Sequence, residues 1–130
     1  MDSENLGSVP LFAALPEEAR RKLAVWVNEV AVSPGKHLVD EGDYSYDLFV
    51  IEEGTAEVLQ DGRQVAELGP GDFFGEMGVL EKTQRTATVV AKTPMRLLTL
   101  SHWDVRRLGS TAPEVLEQLH AVLEERRAAQ

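Results

Sequence analysis

Gly69-Pro70-Gly71-Asp72-Phe73-Phe74-Gly75-Glu76-Met77-Gly78-Val79-Leu80 places four glycines within residues 69–78 and continues through Glu81-Lys82-Thr83-Gln84-Arg85-Thr86-Ala87-Thr88-Val89 into an apolar alternation. Glycine lets backbone amides approach a ligand with no Cβ in the way, and a short helix expected over 76–80 would add the partial positive charge of its N-terminus. This is the composition of a phosphate cradle. Arg85 precedes the alternating Ala87, Val89 and Ala91, and an arginine at a strand edge can offer its planar fork to two phosphate oxygens at once. Taken singly, Gly75 and Gly78 read as turn glycines and Arg85 as a surface residue paired with Glu81 or Glu76.

Outward from this segment, short runs rich in Val, Leu, Phe and Thr alternate with Gly35, Gly42, Gly54, Gly62, Gly69 and Gly71. The pattern predicts strands over 29–32, 37–39, 47–52, 55–60, 64–68, 87–91 and 95–101. Asp61-Gly62 predicts a two-residue hairpin, because a primed turn needs positive φ at positions that Asp and Gly tolerate. So many short strands with tight turns imply a mainly β fold, an antiparallel β-roll or jelly-roll barrel. Helices flank it. Pro16-Glu17-Glu18 opens one over 16–27, since proline loses no needed donor in a first turn and carboxylates suit the positive end of the dipole. A second covers 102–108 and breaks at Gly109 to Ala112. A third begins near Pro113, with Val115, Leu116, Leu119, Val122 and Leu123 on one apolar face. Phe73, Phe74, Trp26 and Trp103 are expected to pack in the core or between helix and barrel.

The string over 74–89, FGEMGVLEKTQRTATV, resembles the phosphate-binding cassette of the cyclic-nucleotide-binding domain family, which includes catabolite-activator-type regulators, kinase regulatory subunits and cyclic-nucleotide-gated channels. Gly75, Glu76, Gly78, Leu80, Arg85, Thr86, Ala87 and Val89 fall on the family's pattern, and Gly42, Gly54, Gly71-Asp72 and the flanking helices follow its order along nearly the whole chain. The resemblance implies a ligand site made of Phe74, Gly75, Glu76, Met77, Gly78, Arg85, Thr86 and Ala87. In it Arg85 meets the equatorial phosphate oxygens, Glu76 meets the ribose 2′-hydroxyl, and backbone amides near Met77, Gly78 and Ala87 meet the phosphate and its neighbours. A carboxylate only accepts hydrogen bonds, so it suits a hydroxyl and would repel a bare phosphate. Thr86 offers a hydroxyl to a phosphate oxygen or to the amino group of a syn guanine. Two positions depart from the pattern: Gln84 stands where many members have proline, and Gly78 where many have alanine. Both loosen the cassette, and a weaker affinity is expected. The base would be capped from the last helix, by Leu116, Leu119, His120 or Leu123.

The rest of the chain bounds this reading. Its 130 residues suit one domain with one core, assigned as a helical lead over 8–28, a barrel over 29–101 and C-terminal helices over 102–129. Thirteen basic and 22 acidic residues give a net charge of -9. A field of that sign repels nucleic acid and anionic lipid, so neither is an expected partner, and an anion site must be a local positive pocket. The chain has no cysteine, and the scattered His37, His102 and His120 lack the paired spacing of a metal site. No cofactor, metal or catalysis is expected. The polar start lacks a secretory signal, which implies the cytoplasm. Two functions follow as expectations. One is a stand-alone regulatory sensor, without a DNA-binding domain, that binds a cyclic nucleotide, cAMP with cGMP as the alternative, and moves its C-terminal helix against an effector. The other is a ligand-free module that keeps the fold and dimerises through Leu116, Leu119 and Leu123.

Overall fold

A computed structural model describes residues 10–13, 15–42, 47–74, 87–111, 113–114, 116–117, 120–121 and 124. The described elements are, in chain order, helices α1 (Pro10–Ala13) and α2 (Glu17–Trp26), strands β1 (Asn28–Val32), β2 (His37–Val39), β3 (Asp47–Glu53), β4 (Ala56–Gln60), β5 (Arg63–Leu68), β6 (Phe73–Phe74), β7 (Thr88–Ala91) and β8 (Met95–Ser101), and helix α3 (His102–Thr111). The described residues between 113 and 124 are also helical.

The strands form two antiparallel four-stranded sheets, ordered β1-β8-β3-β6 and β2-β7-β4-β5. That is the expected jelly roll. Consecutive strands mostly alternate between sheets, so each connection crosses from one layer to the other. The exception is the β4–β5 hairpin, where Gln60 pairs with Arg63. Its turn residues Asp61 and Gly62 have φ of 52° and 78°, the two positive values that the sequence predicts.

Side-chain alternation sorts the core into two compartments. Val39, Ile51, Ala56, Phe74, Val89, Ala91, Met95 and Leu97 fill the space between the sheets. On the other face of the first sheet, Leu48 and Val50 of β3 and Leu98 and Leu100 of β8 meet Phe12, Leu15, Ala19, Leu23, Ala24 and Val27 of the helical lead and Val105 of α3. Strands β3 and β8 are therefore covered on both faces, which is why they read as near-continuous apolar runs. Trp26 packs against this second compartment as expected. Trp103 does not serve as helix-to-barrel packing, because it is 59% exposed.

The helical boundaries hold one further correction. Helix α3 continues through Gly109 and Ser110 to Thr111, where the sequence implies a break. A Cβ on Gly109 would collide with the Leu116 side chain, lying 2.8 Å from its Cγ. The glycine keeps space for a leucine of the final helical stretch, and tertiary packing overrides the local preference.

Glu29, Glu52 and Arg96 share the face of the first sheet that carries Val50 and Leu98. Arg96 donates to Glu29 and lies 3.7 Å from Glu53. Burial pushes the Glu52 carboxyl up, and the neighbouring Glu29 carboxylate adds to the shift, while the hydrogen bond from Arg96 holds Glu29 down. Glu52 Oε1 is buried without a partner among the described residues. A raised carboxyl contributes stability below its unfolded-state pKa and loses it as pH rises through the folded-state value. Glu52→Gln should therefore leave the melting temperature unchanged near pH 3 and raise it by about 1–3 °C at pH 7, a modest gain because solvent screens the group. Thermal denaturation at the two pH values checks this, and an equal effect at both would refute the ionisation argument.

Candidate functional site

The segment over 75–86 lies outside the described residues, so Gly75, Glu76, Met77, Gly78, Arg85 and Thr86 do too. What the structure gives is the frame that holds both ends of that segment. It leaves from Phe74, at the end of β6 in the first sheet, and returns at Ala87, ahead of β7 in the second. Twelve residues thus join one layer of the roll to the other.

The departure point is fixed by packing. The Phe74 ring is 3% exposed and stacks on Phe49, with centroids 4.9 Å apart and planes 8° from parallel. An offset stacked pair of this kind adds about 0.5–1.5 kcal/mol beyond its area burial. Backbone pairing aligns Phe49 with Phe74 and Val50 with Phe73. The turn before β6 is closed locally: the Gly69 amide donates to Asp72 Oδ2 at 2.8 Å, and the Asp72 amide donates to the Gly69 carbonyl at 3.0 Å. Gly71, at φ 90°, donates to the Ile51 carbonyl at 2.9 Å, and Ile51 donates to the Asp72 carbonyl at 2.9 Å. These bonds tie Gly71-Asp72 to β3.

The return point is fixed by a contact distant in sequence. Thr88 Oγ1 accepts a hydrogen bond from the Glu41 amide at 2.9 Å, and Val89 and Val90 pair with Val39 and His37 of β2. Val89 and Ala91 point into the roll, and Ala87 has the same parity along the chain. A small residue at that position leaves room beside the interior. His37, opposite Val90 on β2, has Nδ1 2.6 Å from Asp40 Oδ1 on the exposed side. Phe49, Glu41 and Thr88 are frame residues that the sequence reading missed. Only Thr88 has a local signal, its place within the string itself.

Of the four residues considered for capping a base, Leu116 is half-buried and packs on the helix-side core against Gly109. His120 is exposed, and the side chains of Leu119 and Leu123 lie outside the described residues. Among the described residues there is no group of three or more His, Cys, Asp or Glu able to hold a metal, and no helix long and apolar enough to cross a membrane.

Comparison with known proteins gives this frame its context. Residues 29–111 match the family model described as the cyclic nucleotide-binding domain. The chain is 34% identical over 112 residues to a cAMP-dependent protein kinase regulatory subunit of Schizosaccharomyces pombe, a match that covers 85% of this chain and 27% of that protein. The crystal structure of the Thermus thermophilus catabolite activator protein superposes with a TM-score of 0.82 at 30% identity, covering 92% of this chain and 59% of that one. The regulatory subunit of a cAMP-independent protein kinase A from Trypanosoma brucei superposes with a TM-score of 0.78 at 27% identity, covering 88% of this chain and 44% of that one. The chain therefore spans about a quarter of the kinase regulatory subunit that it matches.

Proposed function

The chain belongs to the cyclic nucleotide-binding domain family, and from that premise we propose that it is a binding module rather than an enzyme, a sensor that takes up cAMP in preference to cGMP. The observation that carries this reading is the frame: Phe74 ends β6 in one sheet and Ala87 precedes β7 in the other, and the segment between them holds the glycines, acid and arginine that such a ligand needs.

In this reading Arg85 pairs with the equatorial phosphate oxygens, and the amides of Met77, Gly78 and Ala87 complete the anion site. Gly75 and Gly78 keep Cβ atoms out of the approach. Glu76 accepts from the ribose 2′-hydroxyl, which makes the site specific for a ribose and rejects a bare phosphate. Thr86 reaches a phosphate oxygen or the base edge. Phe74 serves by its anchoring, since its ring is committed to Phe49. With a net charge of -9 over the whole chain, the charge-neutralising work falls on this local set. The signal leaves through the C-terminal helix, whose Leu116 rests on Gly109. Linkage requires that the ligand favour one docking of that helix over another, because equal affinity for both shifts nothing. The module works in the cytoplasm.

Parallel calorimetric titrations with cAMP and cGMP test the reading. Saturable binding of cAMP, tighter than that of cGMP, is the expected result. Absence of heat with either nucleotide at millimolar concentration would overturn it. A kinase regulatory subunit described as cAMP-independent shares this fold, so the fold does not by itself require cAMP, and under that outcome the second reading is a ligand-free interaction module that dimerises through its last helix. A stable dimer in sedimentation without nucleotide binding would identify it.

A further inference from the structure

One face of the molecule departs from its acidic background. On α2, Lys22 and Trp26 stand one turn apart with Val25 beside them, and on α3 Trp103, Arg106 and Arg107 are spaced so that they share a face. Arg107 joins the two helices, its guanidinium carbon lying 5.5 Å from the centroid of the Trp26 ring. Arg106 covers Trp103 in the same way, also at 5.5 Å. Core packing accounts for Trp26 but not for Val25 and Trp103, which are 82% and 59% exposed. Arg106 has no carboxylate within 4.0 Å among the described residues. Arginines held over indole rings keep their charge at the surface with little freedom left to lose on binding, and tryptophan with arginine is the composition that dominates interface energetics.

We infer that the α2–α3 face is a docking surface for a short acidic segment of a partner protein. Carboxylates of that segment meet Arg106, Arg107 and Lys22, and its apolar side chains lie on Trp103 and Val25. Charge complementarity selects this occupant. Lys22 lies 4.0 Å from Glu18 and Arg107 3.9 Å from Asp104, long surface pairs of little strength. With Arg106 these residues leave one surplus positive charge, a local exception in a chain with 22 acidic and 13 basic residues. A bilayer or a nucleic acid presents anionic charge over a wider area and meets the repelling surface around the face, whereas a short segment meets the face alone. Nothing in this assignment requires a nucleotide in the cassette.

The chain has two tryptophans, Trp26 and Trp103, and both belong to this face, so intrinsic fluorescence reports on it without a label. The probe is a short capped peptide of glutamates interrupted by leucines, free of aromatic residues. Controls are the same peptide with lysine in place of glutamate and vesicles of phosphatidylcholine and phosphatidylserine in equal parts. The expected result is a saturable change in tryptophan emission with the glutamate peptide, abolished by high salt, and no saturable change with either control. Joint charge reversal by Arg106→Glu and Arg107→Glu should weaken peptide binding by about tenfold or more. Lys22→Glu, at an exposed site on the other helix, should also weaken it and keeps the test available if the double variant does not fold. No saturable response to the glutamate peptide, equal binding by the folded charge-reversed variants, or a vesicle response matching that of the peptide would each overturn the inference.

Discussion

Arg85→Ala is expected to weaken cyclic-nucleotide binding by about 30- to several thousand-fold, the equivalent of ~2–5 kcal/mol for stranding a partly desolvated charge without its partner. The size follows from the setting. A chain with a net charge of -9 gives the phosphate no help at long range, so the loss of the guanidinium cannot be offset by neighbouring cations. Lys82 is the one other basic residue of the segment over 74–89, and an ammonium lacks the fork that engages two oxygens together. Arg85→Lys should therefore recover part of the affinity, and Arg85→Ala nearly none. Thermal denaturation without ligand should give the same midpoint for the parent and both variants, which separates a binding defect from a folding one. Unchanged calorimetric affinity of Arg85→Ala for both cAMP and cGMP would show that the phosphate is held elsewhere.

The second large effect is expected at Gly54, far from the cassette in sequence and function. Gly54→Ala should destabilise the fold by about 2–4 kcal/mol, lowering the melting temperature by roughly 8–15 °C. Two costs combine. The residue has φ of 91°, a left-handed region that an L side chain enters with strain. A Cβ there would also strike the Pro94 carbonyl oxygen and stand 2.8 Å from Met95 Cγ and 3.0 Å from Met95 Cα. A backbone oxygen cannot step aside as a side-chain tip can. Its neighbours are tightly tied: the Thr55 amide donates to Thr93 Oγ1 at 2.9 Å, and the Lys92 amide donates to the Thr55 carbonyl at 2.9 Å. The turns between β3 and β4 and between β7 and β8 are thereby clamped together, and each crosses from one sheet to the other. Chemical denaturation of the variant checks the prediction, and a loss below about 1 kcal/mol would mean that these turns can shift apart.

Much of this architecture is legible in the chain. The strands at 37–39 and 95–101 have the predicted bounds, and others differ by a residue at one end, because alternation and turn glycines act locally. Strand β6 leaves no such mark. Its two residues, Phe73 and Phe74, are strand only because Val50 and Phe49 pair with them. Gly109 misleads for a related reason, since its lack of a side chain serves Leu116 rather than a turn. Trp103 reads as helix-to-barrel packing by its chemistry and lies at the surface by its position on α3. For the site, residue types in order were informative, whereas the Glu41–Thr88 bond that fixes the return to β7 joins positions 47 apart and has no local signature.

The pairing of β1 with β8, which sets Asn28 opposite Thr99 and Val32 opposite Met95, has a consequence for how such a unit is carried. The chain enters the roll and leaves it on adjacent hydrogen-bonded strands, and α2 and α3, just outside them, pack on the same sheet face. A body with neighbouring ports can be spliced into a longer polypeptide without spreading the flanking sequences apart. That geometry suits a unit that corresponds to 27% of a kinase regulatory subunit and 59% of a catabolite activator protein. Leads that emerge side by side put no constraint on the length of a host.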